Sequence, residues 1–150
     1  MRLTFIIIYF FSFLANSHEY NKNEVIIDHP IIKVSSADSK IGAGYFKVIN
    51  NSNEHLYLRE IVASISTKIE IHEVIKQNDI YKMRPIKNDL LISPGESLVF
   101  KAKSYHAMFF NFNRILENNE MIKAKINFRN NLVIPVEFKI IIGQVNNSHH

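Results

Sequence analysis

Short runs of alternating apolar and polar residues, separated by turn-forming residues, constrain the fold of this chain more than any other feature. Alternation with a period of two is typical of a strand with one face in the core and the other in solvent. Such runs, together with short apolar runs bounded by turn residues, cover residues 25–34, 42–49, 56–63, 98–100, 106–112, 121–128 and 132–142. This spacing predicts an all-β, antiparallel β-sandwich. Pro30 in the first run predicts an edge position or a bend.

Residues 1–17 have the features of a secretory signal peptide. Arg2 supplies a positive charge, residues 3–14 are apolar, and Ala15-Asn16-Ser17 offers small residues near a cleavage site. The apolar run is shorter than an ordinary membrane span, so no stable span is expected once the signal is removed. An uncleaved signal anchor is the alternative. Residues 18–150 then suit one domain with a short polar C-terminal tail.

Charge and cysteine content exclude several classes of function. The formal net charge is +4, but the Lys and Arg residues are scattered along the chain, so no nucleic-acid partner is predicted. The chain has no cysteine. An exported domain without disulfides depends on its core for stability. The same absence excludes Cys-based zinc sites and a thiolate-ligated blue-copper site.

A predicted hairpin brings together the first of two His/Met pairs. The strand that contains His72 and the strand that contains Met83 flank the polar tip 76–79. If the loop has two or four residues centred on Gln77 and Asn78, His72 and Met83 lie directly opposite each other on one face. Their Cβ atoms would then be about 5 Å apart. A three-residue loop would not give this register.

The second pair, His106 and Met108, is two residues apart, and residues i and i+2 of a strand share a face. If the two strand segments converge, two imidazoles and two thioethers meet. Thioether sulfur favours Cu(I), whereas zinc prefers thiolate, imidazole or carboxylate ligands. Imidazoles must be neutral to bind the metal, so Cu(I) binding is expected to weaken below about pH 6.5.

Each of these residues also has an ordinary structural interpretation. A Met in a strand is most often core filler, and a His on a strand is most often exposed or hydrogen-bonded. The aromatic run Phe109-Phe110 with Phe112 fits the core better than a docking surface. His18, His149 and His150 could together bind Cu(II), although a frayed polar tail explains the terminal pair more simply.

The order and spacing of the His and Met residues resemble the signature of the periplasmic copper chaperones of the PCu(A)C family. In that signature ten residues separate a His from a Met, and a His-x-Met follows later; here these are His72, Met83, His106 and Met108. Further ordered matches, covering roughly residues 30–142, are Gly42-Ala43-Gly44-Tyr45-Phe46, Glu70-Ile71-His72-Glu73, Met83-Arg84-Pro85, Pro94-Gly95 and Tyr105-His106-Ala107-Met108.

Two departures from the family pattern affect loops. The segment between Met83 and His106 is one residue longer than in the family, and the extra residue falls in the loop 87–89, where an insertion is readily tolerated. The Met-rich loop that follows the first His in the family is replaced by Glu73-Val74-Ile75. These differences leave the four matched ligand positions in place.

The resemblance implies a cupredoxin-like or immunoglobulin-like β-sandwich located in the periplasm. It also implies that His72, Met83, His106 and Met108 bind Cu(I) and that the copper passes to the copper-bearing subunit of cytochrome c oxidase, or to another copper carrier, by ligand exchange. No substrate bond is made or broken in such a transfer, so the chain is not expected to be an enzyme. We expect a monomer.

Two other hypotheses remain open. The first is a metal-free exported β-sandwich that acts as an adhesion or scaffolding module, in which His72 and His106 are incidental. The second is a catalytic copper protein such as an oxidase, which usually needs additional ligands or a cofactor. A carrier retains Cu(I) against a chelator, the metal-free module does not, and the catalytic protein turns over with dioxygen.

Overall fold

The computed structural model describes residues 19–143. The predicted signal peptide, His18 and the terminal pair His149 and His150 lie outside the described residues. Within 19–143 the chain is all β, as predicted, and no helix there is long and apolar enough to cross a membrane. The strands are β1 (Glu19–Lys22), β2 (Val25–Val34), β3 (Ile41–Asn50), β4 (Leu56–Val62), β5 (Ser66–Gln77), β6 (Ile80–Pro85), β7 (Leu90–Ile92), β8 (Ser97–Phe100), β9 (His106–Phe112), β10 (Met121–Phe128) and β11 (Val133–Ile142).

These strands form one mixed sheet in the order β6-β5-β9-β3-β2-β11-β10-β4-β7, with β1 added on β2 and β8 on β3. Among the strand pairs of residues 19–143, all are antiparallel except β2 with β11, which run parallel. The predicted antiparallel arrangement therefore holds for the other described strand pairs but not for this one. Because nearly the whole domain separates β2 from β11, no hairpin fixes their relative direction.

The sheet curls over so that its two ends meet around a common core. Strands β4 and β5 are far apart in the sheet order, yet only residues 63–65 separate them in the chain. The ring of Phe138 in β11 lies 5.6 Å from the ring of Phe46 in β3 and 5.6 Å from that of Phe109 in β9. Strands β11 and β9 are three places apart in the order, or about 14 Å in a flat sheet. The short distance therefore requires two facing layers.

Alternation in the sequence determines which side chains enter this core. In β3, β10 and β11 every second residue is buried, and the buried positions are almost all apolar. Pro30 does not place β2 at an edge, because β2 lies between β3 and β11. It coincides instead with a shift of the β2–β3 register between Asp28 and Ile31, where His29 has a φ of 47°. The prediction of a bend at Pro30 is thus confirmed.

Strands β5 and β6 extend beyond the sandwich as a two-stranded arm. Strand β5 pairs with β9 from Ser66 to His72, whereas its remaining residues pair only with β6 among the described strands. We call residues 73–84 the β5–β6 arm. Its tip is a two-residue turn formed by Asn78 and Asp79, which have φ values of 51° and 62°. Positive φ at both positions is typical of a type I′ hairpin turn.

Candidate metal centre

Pairing of β5 with β9 places the two predicted histidine ligands side by side. His72 lies directly opposite His106 in this register, and their ring centroids are 5.7 Å apart. The next pair along, Ile71 with Ala107, is buried in the core. Because successive side chains point to opposite faces of a strand, both imidazoles project from the outer face of the sheet.

The two methionines lie on the same outer face. Met108 is two residues from His106 in β9, as predicted. The prediction that Met83 lies directly opposite His72 is wrong: His72 pairs with Pro85, and Met83 pairs with Val74. The predicted loop was centred one residue too early, because the turn is made by residues 78 and 79. Met83 and His72 are consequently diagonal neighbours on one face. Such residues are about 7–8 Å apart across the two strands, which is within reach of a long side chain.

Three of the four predicted ligands line a shared surface recess. Met83, His106 and Met108 contribute to an open recess of about 280 Å³, whose other lining residues are Ala43, Tyr45, Val74, Ala102 and Lys103. His72 borders this recess through its contact with His106. A larger recess of about 460 Å³ at the other end of β3 is lined mainly by polar side chains and by none of the four predicted ligands.

His106 has one ring nitrogen satisfied and the other free. The residue is only 4% exposed. Its Nδ1–H donates to the carbonyl oxygen of Ser104 at 3.1 Å, since a carbonyl can only accept. Its Nε2 is buried and has no hydrogen-bond partner among the described residues. Burial lowers the pKa of His106 below its ordinary value, and the nearby His72 lowers it further, whereas the Ser104 carbonyl opposes the shift. The ring therefore presents a neutral, unpaired nitrogen.

His72 is held by a neighbouring carboxylate. Its Nε2 lies 2.9 Å from Oε2 of Glu70, which is two residues back on the same face. The other oxygen of Glu70, Oε1, lies 2.7 Å from Nζ of Lys68. Hydrogen bonds from Lys68 and then from His72 lower the pKa of Glu70, although burial opposes them. The carboxylate is thus ionised at neutral pH and accepts from both neighbours.

The arrangement suits a soft metal ion near the surface. Within the described residues, no group of three or more His, Asp or Glu side chains is arranged to hold a metal. A site with more than two protein ligands at this face therefore includes the thioethers. The four candidate ligands range from His106 at 4% exposure to Met83 at 64%, so one side of the set is fixed in the sandwich and the other is open to solvent. The two thioethers are soft donors of the kind that select Cu(I), and the two imidazoles also suit copper.

Several residues around the site were not predicted. Glu70 could have been found from the sequence, because a residue two positions from His72 in a strand shares its face. Ser104 acts through its backbone and leaves no signal in the side-chain pattern. Phe110 was expected in the core, but it lies on the outer face with its ring 6.2 Å from that of His72. Phe109 and Phe112 are buried as predicted. This difference follows from alternation along β9.

Comparisons with known proteins identify relatives of this fold. The family model described as "Putative lipoprotein LpqE-like" matches residues 25–140. The copper-bound PCuAC domain from PmoF2 is 11% identical over 84% of this chain and 99% of that domain, with a TM-score of 0.69. The apo PCuAC domain from PmoF1 is 15% identical over 84% and 100%, with a TM-score of 0.69. The Cu(I) form of DR1885 from Deinococcus radiodurans is 14% identical over 85% and 81%, with a TM-score of 0.57.

These similarities concern the fold. At 11–15% identity they show a shared architecture, and the predicted cupredoxin-like sandwich and the resemblance to PCu(A)C domains are confirmed at that level. No protein of curated function matches the chain significantly in sequence.

Proposed function

Because the chain belongs to the LpqE-like family, and its fold is that of PCuAC domains, we propose that it is an exported copper carrier. It binds one Cu(I) through His72, Met83, His106 and Met108 and releases it to a partner by ligand exchange. The observation that carries this proposal is the buried Nε2 of His106, which lacks a hydrogen-bond partner among the described residues. A buried polar atom without a partner is costly to a fold, and a bound ion would satisfy it.

The ligand set supports Cu(I) rather than a harder ion. Thioether sulfur and neutral imidazole together form a soft, uncharged donor set. The lowered pKa of His106 keeps this ring unprotonated at neutral pH, as metal binding requires. Two proteins with this fold, the copper-bound PCuAC domain from PmoF2 and the Cu(I) form of DR1885, support copper as the metal.

The uneven exposure of the proposed site supports transfer by ligand exchange. Met83 is 64% exposed on the arm, whereas His106 is buried. A thiolate or imidazole of a partner can therefore approach the ion from the side of Met83 and replace the ligands in turn. The expected recipient is the copper-bearing subunit of cytochrome c oxidase or another copper carrier. Such a step changes only the coordination of the ion, so the proposed activity is not enzymatic.

Export is supported by two features. The family is described as lipoprotein-like, and residues 1–17 have the pattern of a secretory signal. We propose a periplasmic location for the domain, as a monomer.

Titration of the purified protein with Cu(I) against a competing Cu(I) chelator tests the proposal, together with X-ray absorption at the copper edge. We expect one tightly bound Cu(I) with both sulfur and nitrogen scatterers. Met83→Leu, nearly equal in volume at an exposed position, should weaken retention without lowering thermal stability. The matched control is Met121→Leu, which makes the same change in β10, outside the recess.

A second pair of variants tests the imidazoles. His106→Gln should weaken Cu(I) retention strongly, whereas His55→Gln, at an exposed position before β4, should not. Loss of all bound Cu(I) to the chelator in the wild-type protein would refute the carrier and favour the metal-free adhesion or scaffolding module. Nitrogen and oxygen scatterers without sulfur would also contradict the proposed ligand set.

A further inference from the structure

We propose that Glu70 is a positioning residue that fixes the tautomer of His72, so that Nδ1 of His72 is the nitrogen left to bind Cu(I). This inference rests on the proposed function and specifies how one of its ligands is presented.

The contact between Glu70 and His72 determines where the imidazole hydrogen lies. Oε2 of Glu70 is 2.9 Å from Nε2 of His72. An ionised carboxylate only accepts hydrogen bonds, so Nε2 must carry the hydrogen. A neutral imidazole has one N–H, and Nδ1 is then the nitrogen with the free lone pair.

Lys68 binds the other oxygen of the Glu70 carboxylate, which leaves Oε2 to accept the Nε2–H of His72. Its Nζ lies 2.7 Å from Oε1 of Glu70, on the oxygen that His72 does not use. Both carboxylate oxygens therefore already have a cationic or N–H partner. Nζ of Lys68 also lies 5.5 Å from the centroid of the Phe110 ring, within the range of a cation–π interaction. Glu70 thus acts on the metal site through His72.

The surroundings of His72 restrict rotation of its ring. The side chain is 13% exposed. The ring of Phe110 lies 6.2 Å away and the ring of His106 lies 5.7 Å away, both on the neighbouring strand β9. A ring flip that brought Nε2 toward a metal would break the hydrogen bond to Glu70 within this packed group. The tautomer and the ring orientation are consequently set together.

Each of the two histidines donates one ring N–H to a protein oxygen and leaves its other ring nitrogen free, but the free nitrogen is a different one in each ring. His106 donates its Nδ1–H to Ser104 and leaves Nε2 free, whereas His72 donates Nε2–H to Glu70 and leaves Nδ1 free. Hydrogen bonds of this kind orient a ligand and raise its basicity, and their removal typically costs about 10- to 100-fold in metal affinity.

Long-range ¹H–¹⁵N NMR of the copper-free protein tests the tautomer directly. We expect His72 in the Nε2–H form in the wild-type protein and in Glu70→Gln, because the amide oxygen still accepts a hydrogen bond. Glu70→Leu should show a mixture of both tautomers. An Nδ1–H form in the wild-type protein, or an unchanged tautomer in Glu70→Leu, would overturn the inference.

Cu(I) titration against a chelator tests the consequence for binding. Glu70→Leu should lose about 10- to 100-fold in affinity, and Glu70→Gln should lose less. The control is Glu73→Leu, which removes the same charge from a neighbouring residue on the other face, where Glu73 lies 3.9 Å from Arg84. Equal affinity of Glu70→Leu and Glu73→Leu would overturn the inference. The NMR result needs no copper, so it supports or overturns the role of Glu70 even if the titration refutes the carrier.

Discussion

Substitution of Gly44 by alanine tests whether packing behind the metal site maintains its geometry. Gly44 lies in β3 and pairs with Ala107 in β9, the residue between His106 and Met108. A Cβ atom at position 44 would lie 2.7 Å from Cε2 of Phe109 and 3.2 Å from Cβ of Ala107. Carbon atoms pack favourably at about 3.5–4.0 Å. Strand β9, or the Phe109 ring, must therefore move by about 0.8 Å to accept the methyl group.

The size of the effect follows from two opposing contributions. Overpacking a well-filled core costs about 1–3 kcal/mol. Loss of glycine flexibility in the unfolded chain returns about 0.4–1 kcal/mol. We expect a net loss of about 1–2 kcal/mol in the free energy of unfolding, or a fall of about 3–8 °C in Tm for a domain of this size. Metal ligands need placement within about 0.5 Å, so a shift of β9 should also weaken Cu(I) binding.

Far-UV circular dichroism during thermal and urea unfolding measures the stability, since the chain has no Trp for fluorescence. The matched control is Gly143→Ala, where an added Cβ meets no atom within 4 Å. This variant should remain within about 0.5 kcal/mol of the wild type. A Tm of Gly44→Ala equal to or above that of the wild type would refute the reasoning, because the close contacts would then cost nothing.

Three further predictions concern pH, a buried amide and the arm. Burial lowers the folded-state pKa of His106. The stability that the neutral ring contributes is therefore complete above about pH 6.5 and is lost as pH falls toward the lowered pKa. In urea unfolding, the stability of His106→Leu should depend less on pH in this window than that of the wild type, and equal dependence would contradict the shift. Asn50 is fully buried and donates to the carbonyls of Glu54 and Ile92. Urea unfolding of Asn50→Ala should therefore show a free energy of unfolding lower by about 2–4 kcal/mol. A loss under about 1 kcal/mol would argue against this hydrogen-bond network. Asp79→Gly relieves a positive φ and should slow amide hydrogen exchange in the arm by about two- to fivefold; faster exchange would show that the Asp79 side chain stabilises the turn.

Much of the fold could be predicted because alternation is a local property. The hairpin of β10 and β11 appears in the sequence as two regular alternating runs, and it forms as predicted with Ile126 opposite Ile134. Strands β1 and β7 were missed because they are four and three residues long, too short to show a period. The parallel pairing of β2 with β11 depends on contacts across the whole domain, which no local pattern records.

The metal site shows the same division between local and long-range information. The shared face of His106 and Met108 follows from a two-residue spacing. The register of Met83 was wrong because the predicted turn was centred on residues 77 and 78, whereas residues 78 and 79 form it. The pairing of His72 with His106 joins strands separated by the arm, β7 and β8. That convergence could be expected from the family resemblance, but it does not follow from spacing.

The β5–β6 arm has a mechanical consequence for the proposed site. His72, His106 and Met108 are on β5 and β9, which each have a neighbouring strand on both sides. Met83 is on β6, which among the described strands has a neighbour on one side only. Bending of this two-stranded ribbon would move Met83 relative to the other three side chains. In such a site three ligands lie on the sandwich and Met83 lies on the arm, so opening the site would require movement of the arm alone.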